Sequence, residues 1–336
     1  QLTPEFHKKF TIYFWIVMLL PFIFVSGLLL LQSEDNLPPV EMLDNPPELQ
    51  ASLIIAKKSV KEDTVIGRFW QVNRTSAKYK DISPYVFDAL ISTEDERFLQ
   101  HSGVDFWALM RSISSFGNSG GASTITQQLA KLLFTLQQRK REELARASGK
   151  SIDSYIGGFF GKFRRINEKA SENIIAKRLE ERYTKEEIIT MYLNQFDFLF
   201  NAVGIENAAR VYFNKSPKNL SKSEAAMLVG MCKNPTIYNP YTFQIKNYKR
   251  QVADREGISI EKVTFEQTAA LRSRDSLRAI ERRNQVLFQW LRNSKSENEA
   301  LKNKIDILEY DSLKSLPIIV NYKSLDHKEG MAPYFR

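Results

Sequence analysis

The feature that most constrains the fold of this chain is an uncharged run, Phe10–Leu31. At about 1.5 Å per residue in a helix, a run of this length crosses a hydrocarbon core of about 30 Å. Lys8 and Lys9 precede it, whereas Glu34 and Asp35 follow it, so the N-terminus is expected in the cytoplasm and the remainder outside. A cleaved signal peptide is the alternative, but the run is longer than a typical signal-peptide core and no small-residue cleavage site follows it. We therefore expect an uncleaved transmembrane helix.

The rest of the 336 residues divides by composition. Four prolines and several acids within 33–50 predict an extended stalk. The overall content of 43% hydrophobic and 26% charged residues is typical of a folded protein with a sizeable core. We expect a cytoplasmic N-terminus (1–9), a transmembrane helix (10–31), a stalk (32–54), a folded domain (55–241) and a charged helical segment (242–336).

Charge and cysteine content exclude several classes of function. The formal net charge is +9, and residues 139–182 hold twelve Lys or Arg against seven acids. This surplus suggests an anionic partner such as a lipid head group or a phosphate-bearing substrate. No nucleic-acid-binding motif accompanies it, so nucleic acid is not an expected partner. The single cysteine, Cys232, excludes an internal disulfide and a thiolate metal cage.

Helix-start signals predict a mainly α fold after the stalk. Ser83 and Pro84 combine a cap residue with a proline at the first helical position. Two capping boxes each begin an apolar run: Thr184 with Glu187, and Ser221 with Glu224. Short strand-like segments at 52–55 and 65–69 predict a small β-hairpin region.

An acidic cluster, Glu94-Asp95-Glu96, falls near the end of the helix that begins after Ser83. A solvated helix end is the ordinary interpretation of such a cluster. Phe98 and Phe106 flank it, however, so part of this loop must approach the core. A carboxylate beside aromatic surface can be tuned towards use as a general base.

A glycine turn at 120–121 precedes a second polar cluster. Thr124 and Gln127 have the spacing of a capping box. The same helix start collects hydroxyls, amides, free backbone N–H groups and the ammonium of Lys131, a combination that suits a phosphate or sugar ligand. The residues alone do not decide between cap and ligand site.

Glu172 falls on the apolar face of a helix predicted over 167–181, because apolar residues recur three, four and seven positions after it. A carboxylate on such a face needs a cation or hydrogen-bond donor beside it, or it belongs to a functional site. An ion pair with Lys169 or Arg178 is one explanation, and it is compatible with a functional role. His101 is interpreted as a residue that pins a loop rather than as a catalyst.

Five motifs follow one another along the chain. They are Glu94-Asp95-x-x-Phe98-x-x-His101-x-Gly103-x-Asp105, Ser123-Thr124-Ile125-Thr126-Gln127-Gln128-Leu129-x-Lys131, Lys169-x-x-Glu172, Tyr192-Leu193-Asn194 with Gly204-Ile205-Glu206, and Lys233-x-Pro235-x-x-Tyr238-Asn239-Pro240. In this order they resemble the glycosyltransferase family 51 module of class A penicillin-binding proteins, the peptidoglycan polymerases. The resemblance covers residues 55–241 and the preceding anchor.

The resemblance implies a lysozyme-like helical domain that polymerises lipid II into β-1,4-linked glycan, with inversion, and releases undecaprenyl pyrophosphate. It implies Glu94 as the base that deprotonates the acceptor 4-hydroxyl. Glu172 is the second implied catalytic carboxylate, which orients the donor through a divalent ion or holds basic residues in place. The implied substrate-binding residues are Asp95, Ser123, Thr124, Gln127, Gln128, Lys131, Lys169 and Asn194. Lys131 is expected to stabilise the leaving pyrophosphate. No cofactor is obligatory and no metal ligand is assigned, although Mg or Mn is compatible with the chemistry.

The chain departs from the family pattern at three places. Glu168 stands where an arginine is usual, and Leu199 stands where a glycine is usual. An insertion at 155–165 mixes phenylalanine, glycine and basic residues, a composition that suits a segment resting on the outer leaflet.

The resemblance also implies a setting. We expect a single-pass protein of the bacterial cytoplasmic membrane with its catalytic domain on the outer face. Its expected partners are lipid II, the growing lipid-linked strand, the membrane and other cell-wall synthesis proteins. The segment 242–336 is expected to lead towards a transpeptidase domain absent from these residues, with a monofunctional transferase as the alternative. Two rival functions are a membrane-anchored muramidase-like hydrolase, which would need two carboxylates but no pyrophosphate site, and a non-catalytic cell-wall scaffold.

Overall fold

The computed structural model describes residues 4–31, 52–59, 62–69, 76–114, 121, 123–136, 161–240, 245–296, 298–323 and 328–330, and the statements below concern this part of the chain. Most of the predicted stalk lies outside it, as do residues 155–160 of the predicted membrane-contact insertion.

The described chain is mainly α-helical, as predicted. Its helices are α1 (Pro4–Leu31), α2 (Pro84–Glu94), α3 (Phe106–Ser114), α4 (Ile125–Ala130), α5 (Gly161–Arg182), α6 (Lys185–Gln195), α7 (Ile205–Phe213), α8 (Lys222–Lys233), α9 (Ile245–Glu256), α10 (Ala269–Lys295) and α11 (Ile307–Ser315). Strands β1 (Ser52–Ser59), β2 (Glu62–Phe69) and β3 (Lys328–Gly330) form an antiparallel sheet in the order β1-β2-β3. Leu53 pairs with Arg68, and the register shifts between Ile54 and Ile55.

The membrane span expected at 10–31 stays a prediction. Within the part of the chain that the structure describes, no helix combines the length and the apolarity needed to cross a membrane.

Helix starts follow the local sequence closely. The capping boxes predicted at Thr124, Thr184 and Ser221 are all formed, with the cap oxygen and the third helical side chain bonded reciprocally. Each such cap stabilises its helix by about 1 kcal/mol. Ser83 occupies the predicted cap position of α2, but its hydroxyl donates instead to the backbone oxygen of Leu220, 3.0 Å away. That bond ties the start of α2 to the segment before α8.

Helix α8 lies in the middle of the core. Its residues Ala225–Cys232 are all buried, and it packs against α2 and α10. Helix α10 adds Val286, Leu287 and Trp290 to the same apolar cluster. Burial of this apolar surface stabilises the folded state by about 25 cal/mol per Å². Part of the charged segment 242–336 therefore shares a core with α2, the helix that ends at Glu94.

Two residues with a positive φ lie in loops, Gly103 after α2 and Leu199 after α6. Gly103 has a φ of +92°, and a Cβ added there would lie 2.9 Å from the backbone of Ala176. The loop therefore lies directly against α5, at a distance that a side chain would prevent. Leu199, where the family usually has glycine, has a φ of 68°. This left-handed conformation explains the usual glycine, and it is strained for leucine.

Candidate active site

A cleft with a volume of about 500 Å³ lies where α2 ends. Its walls come from the end of α2, from α3 with the residue before it, from the segment that leads into α4, from the end of α8 and from one face of α10. The lining residues are Ser92, Thr93, Glu94, Asp95, Glu96, Asp105, Ala108, Arg111, Gly121, Ser123, Thr124, Gln128, Lys233, Arg282, Gln285, Gln289 and Arg292. The structure therefore brings five of the predicted site residues together here: Glu94, Asp95, Ser123, Thr124 and Gln128.

The carboxylate of Glu94 is hydrogen-bonded at both oxygens and is not freely solvated. Its side chain is 17% exposed. One carboxylate oxygen, Oε2, accepts a hydrogen bond from Nε2 of Gln128 at 3.0 Å. The other, Oε1, lies 3.4 Å from Nη2 of Arg282. The remaining lone pairs of Glu94 are available to a proton donor in the cleft.

Asp95 joins the loop to the start of α4. Its Oδ2 accepts the backbone N–H of Ile125 at 3.0 Å. Nε2 of His101 lies 3.0 and 3.1 Å from the two oxygens of the same carboxylate. His101 therefore occupies the loop-pinning position that the sequence suggested, and Asp95 is already engaged by groups of the protein.

Thr124 and Gln127 form the cap of α4. The Thr124 hydroxyl donates to the backbone oxygen of Gly103 at 2.6 Å and accepts the backbone N–H of Gln127. The Gln127 side chain accepts the backbone N–H of Thr124 and donates to Asn173 at 2.7 Å. Both side chains therefore hold the site together, and Gln127 is not among the residues that line the cleft.

Glu172 is buried on α5, with its side chain 1% exposed. Its Oε1 accepts from Nη1 of Arg165 and from the hydroxyl of Thr135, each at 3.2 Å. Its Oε2 lies 3.3 Å from Nζ of Lys169. Of the two cations considered from the sequence, Lys169 pairs with Glu172 here, while Arg165 is a partner that sequence reasoning missed.

Lys169 connects this buried cluster with the cleft. Its ammonium donates to the hydroxyl of Ser123 at 3.0 Å. Burial lowers the pKa of Lys169, attraction to Glu172 opposes this effect, and repulsion from Arg165 and Lys131 reinforces it. Three cations, Lys169, Arg165 and Lys131, therefore lie close enough to interact. Attraction to Glu172 favours the protonated form of Lys169, which is the form that can stabilise an anion.

Asn194 lies apart from the other predicted residues. Its amide accepts the backbone N–H of Ala77 at 3.0 Å and donates to the backbone oxygen of Ala77 at 2.9 Å. Both ends of the side chain thus hold the segment before α2, and Asn194 is not part of the cleft lining.

Sequence reasoning missed the contribution of α10 to the cleft. Arg282, Gln285, Gln289 and Arg292 follow one another at intervals of three, four and three residues, which places them on one helix face. Arg292 pairs with Glu96 at 2.8 Å. The polar periodicity of these four residues is the signal that could have found them.

Asp105 lines the cleft just before α3 and supports the loop that follows α2. It accepts the backbone N–H of Ala108 at 2.9 Å and pairs with Arg97 through two bonds, one of them 2.9 Å between Nε and Oδ2. Burial acts to raise the pKa of Asp105, but these bonds outweigh it, so the pKa lies below the usual carboxylate value.

Asp105 caps α3, because its carboxylate accepts the backbone N–H of Ala108, the third residue of that helix. We expect Asp105→Ala to lower the free energy of unfolding by about 0.5–2 kcal/mol, the usual cost of losing a helix cap. Because the pKa of Asp105 is lowered in the folded state, this stabilisation is present above the ordinary carboxylate range. It should fade as the pH falls through the folded-state value. Chemical denaturation of parent and variant across acid pH checks this, and a stability difference that stays constant into strong acid would contradict it.

The described residues contain no group of three or more His, Cys, Asp or Glu side chains arranged to hold a metal ion. The role of a divalent ion beside Glu172 accordingly stays a prediction.

Comparison with known proteins gives three results. A family described as Transglycosylase matches residues 62–263. Penicillin-binding protein 1A of Pseudomonas aeruginosa is 33% identical over 220 residues, which cover 64% of this chain and 23% of that protein. Penicillin-binding protein 2a of Streptococcus pneumoniae is 33% identical over 180 residues, covering 54% and 21%. The chain thus spans less than a quarter of the length of either relative. A crystal structure of penicillin-binding protein 1A from Haemophilus influenzae aligns at 18% identity over 77% of this chain and 20% of that chain, with a TM-score of 0.34.

Proposed function

Because this chain belongs to the transglycosylase family, as its motifs predicted, we propose that it is a peptidoglycan glycosyltransferase. It joins lipid II units into β-1,4-linked glycan and releases undecaprenyl pyrophosphate. Its fold is of the lysozyme-like helical kind, and the chain forms the N-terminal part of a class A penicillin-binding protein.

One observation carries this proposal: the cleft combines a held carboxylate, Glu94, with several cations. A glycosyl transfer of this kind needs a base for the attacking hydroxyl and positive charge for the leaving phosphate. Arg111, Lys233 and Arg292 line the same cleft, and Lys169 reaches its edge through Ser123.

The mechanism follows from these positions. Glu94 takes the proton of the acceptor 4-hydroxyl as the new bond to the anomeric carbon forms. The bond from that carbon to the pyrophosphate oxygen breaks on the opposite face, so the α-linked donor gives a β-linked product. The electron pair leaves with the pyrophosphate, whose charge Lys131 and Lys169 stabilise. Glu172 holds Lys169 in place and is not required to accept a proton.

Exposed apolar surface supports a lipid-linked substrate. On α3, beside the cleft, Phe106 and Met110 are exposed and Trp107 is 70% exposed. On α1, Phe10 and Trp15 are likewise exposed. A contiguous apolar surface is a common mark of a lipid or protein contact. We propose that α1 anchors the chain in the bacterial cytoplasmic membrane and that α3 meets the polyprenyl tails at the outer leaflet. We also propose that residues 155–165 contact the outer leaflet and that the glycosyltransferase domain spans residues 55–241.

The test of this function separates synthesis from hydrolysis. The purified chain is incubated in parallel with lipid II and with isolated glycan strands. We expect glycan to form from lipid II and no new reducing ends to appear on the strands. Strand cleavage without lipid II consumption would favour a muramidase, which uses a carboxylate pair but no pyrophosphate site. Inertness towards both substrates would favour a scaffold.

We expect Lys131→Ala to lower kcat/KM for lipid II by about 10²-fold, the usual effect of losing one group that stabilises a developing anion. Lys131→Arg should recover part of the activity, because positive charge is the main requirement. Lys177→Ala is the matched control, since Lys177 is on the surface of α5 with its side chain 71% exposed. Unchanged lipid II kinetics in Lys131→Ala would place the pyrophosphate site elsewhere.

A further inference from the structure

Glu94 meets an arginine that lies 188 residues further along the chain. Arg282 is on α10, and its side chain is 5% exposed. Arg282 forms the ion pair that the described residues show for Glu94, and its Nη2 lies 3.4 Å from Oε1 of Glu94. A nearly buried arginine needs partners on several sides, and the surroundings of Arg282 supply them.

The guanidinium of Arg282 contacts three groups of the protein. Its Nε donates to the backbone oxygen of Gly230 on α8 at 3.3 Å. Its Nη1 donates to the side-chain oxygen of Gln285 at 2.8 Å. The ring of Tyr238 lies 5.7 Å from Cζ of Arg282, within reach of a cation–π contact.

Gly230 makes room for this arrangement. A Cβ added at Gly230 would lie 3.2 Å from Cγ of Arg282. Glycine inside a helix is less favourable than alanine by about 1 kcal/mol. Its presence in the middle of α8 is therefore explained by the close passage of the Arg282 side chain.

The second oxygen of Glu94 is held from the opposite side. Gln128 donates to it, and the side-chain oxygen of Gln128 accepts the hydroxyl of Tyr192 at 3.0 Å. Burial raises the pKa of Tyr192 well above its ordinary value, so the hydroxyl keeps its proton and fixes which end of the Gln128 amide faces Glu94. The carboxylate of Glu94 is thus clamped at both oxygens.

We propose that Arg282 is a positioning residue for the reaction, which fixes the orientation of the Glu94 carboxylate towards the acceptor hydroxyl. This inference rests on the proposed function, in which Glu94 is the base. Arg282 neither gives nor takes a proton: the hydroxyl proton passes to Glu94, and the charge of Arg282 is unchanged through the step.

Other charged and titratable groups surround the same carboxylate. Asp95, Glu96, Asp105, Arg111, Lys233 and Arg292 line the cleft, and Tyr192 and Cys232 lie behind Glu94. Burial, together with the charge of Glu94, raises the pKa of the Cys232 thiol, so this group stays neutral. Arg111 and Arg292 are paired with Glu96. Arg282 is the cation that the ion pairs of the described residues place against Glu94.

The test compares Arg282→Gln with Arg282→Lys through kcat and KM for lipid II measured separately, with folding checked by thermal unfolding. In Arg282→Gln we expect kcat to fall about tenfold while KM stays near that of the parent, because Arg282 acts through the base. In Arg282→Lys a cation remains, so part of kcat should return, although the forked contacts are lost. Arg278→Gln, one turn earlier on α10 with its side chain 49% exposed, is the matched control and should keep both parameters.

A folded Arg282→Gln enzyme with the kcat of the parent would overturn the proposal. Gly230→Ala provides a second measurement that leaves the charge in place. It should lower kcat by crowding the Arg282 stem while KM stays near that of the parent, and a kcat equal to that of the parent would contradict the positioning role. If Glu94→Gln is inactive and the Arg282 variants are unaffected, the role of Arg282 is excluded and the proposed function stands. Full activity in Glu94→Gln would instead exclude the proposed function.

Discussion

Glu94→Gln should abolish lipid II polymerisation while leaving the fold intact. Glutamine keeps the size of the side chain and can still receive the contact of Gln128 at its oxygen, but it cannot accept the proton of the acceptor hydroxyl. Loss of a general base costs about 10²–10⁴-fold in rate. The measurement is the initial rate of glycan formation from lipid II, with circular dichroism and thermal unfolding recorded on the same preparations.

Glu186→Gln is the control for this variant. Glu186 lies on the surface of α6, with its side chain 59% exposed, and pairs with Lys302. It should retain the parent rate, because an exposed ion pair contributes at most about 1 kcal/mol to stability. A folded Glu94→Gln enzyme within a few-fold of the parent rate would show that Glu94 is not the base.

Glu172→Gln should produce the second large effect, through Lys169 rather than through proton transfer. Burial already lowers the pKa of Lys169, and attraction to Glu172 is the main influence that opposes it. Without that attraction the ammonium loses its proton more readily, and a cation that stabilises the leaving pyrophosphate is lost. We expect kcat to fall about 10²-fold. Leaving the partners of a buried carboxylate unsatisfied should also lower the free energy of unfolding by about 1–3 kcal/mol.

The direction of the pH dependence identifies this mechanism. Lowering the pH restores the proton of Lys169, so the activity of Glu172→Gln relative to the parent should rise as the pH falls. Glu181→Gln, on the exposed surface of α5 with its side chain 63% exposed, serves as the control. A relative activity of Glu172→Gln that is independent of pH would assign Glu172 a role other than support of Lys169.

The sequence predicted the parts of this molecule that depend on local interactions. Capping boxes act over three residues, so the starts of α4, α6 and α8 could be recognised from spacing alone. The burial of Glu172 followed from the helical period of its apolar neighbours, and it is 1% exposed as that period implies. Both inferences need only the geometry of one helix.

Long-range contacts could not be predicted in the same way. The contact between Glu94 and Arg282 depends on how α2, α8 and α10 pack, which no single stretch of sequence encodes. Asn194 provides another example. The substrate-binding role that the resemblance implied for it stays a prediction, and no local pattern indicated that both ends of its amide bond to Ala77. The hydroxyl of Ser83 likewise finds Leu220 rather than the helix that it begins.

The most direct test of the account is the length of the glycan made from lipid II by the purified chain, resolved by size and then digested with a muramidase to verify the β-1,4 linkage. We predict long strands from the parent chain, with one undecaprenyl pyrophosphate released for each bond formed, and no strands from Glu94→Gln at equal concentration. Lipid II left unconsumed by a folded, membrane-reconstituted parent chain would contradict the central claim.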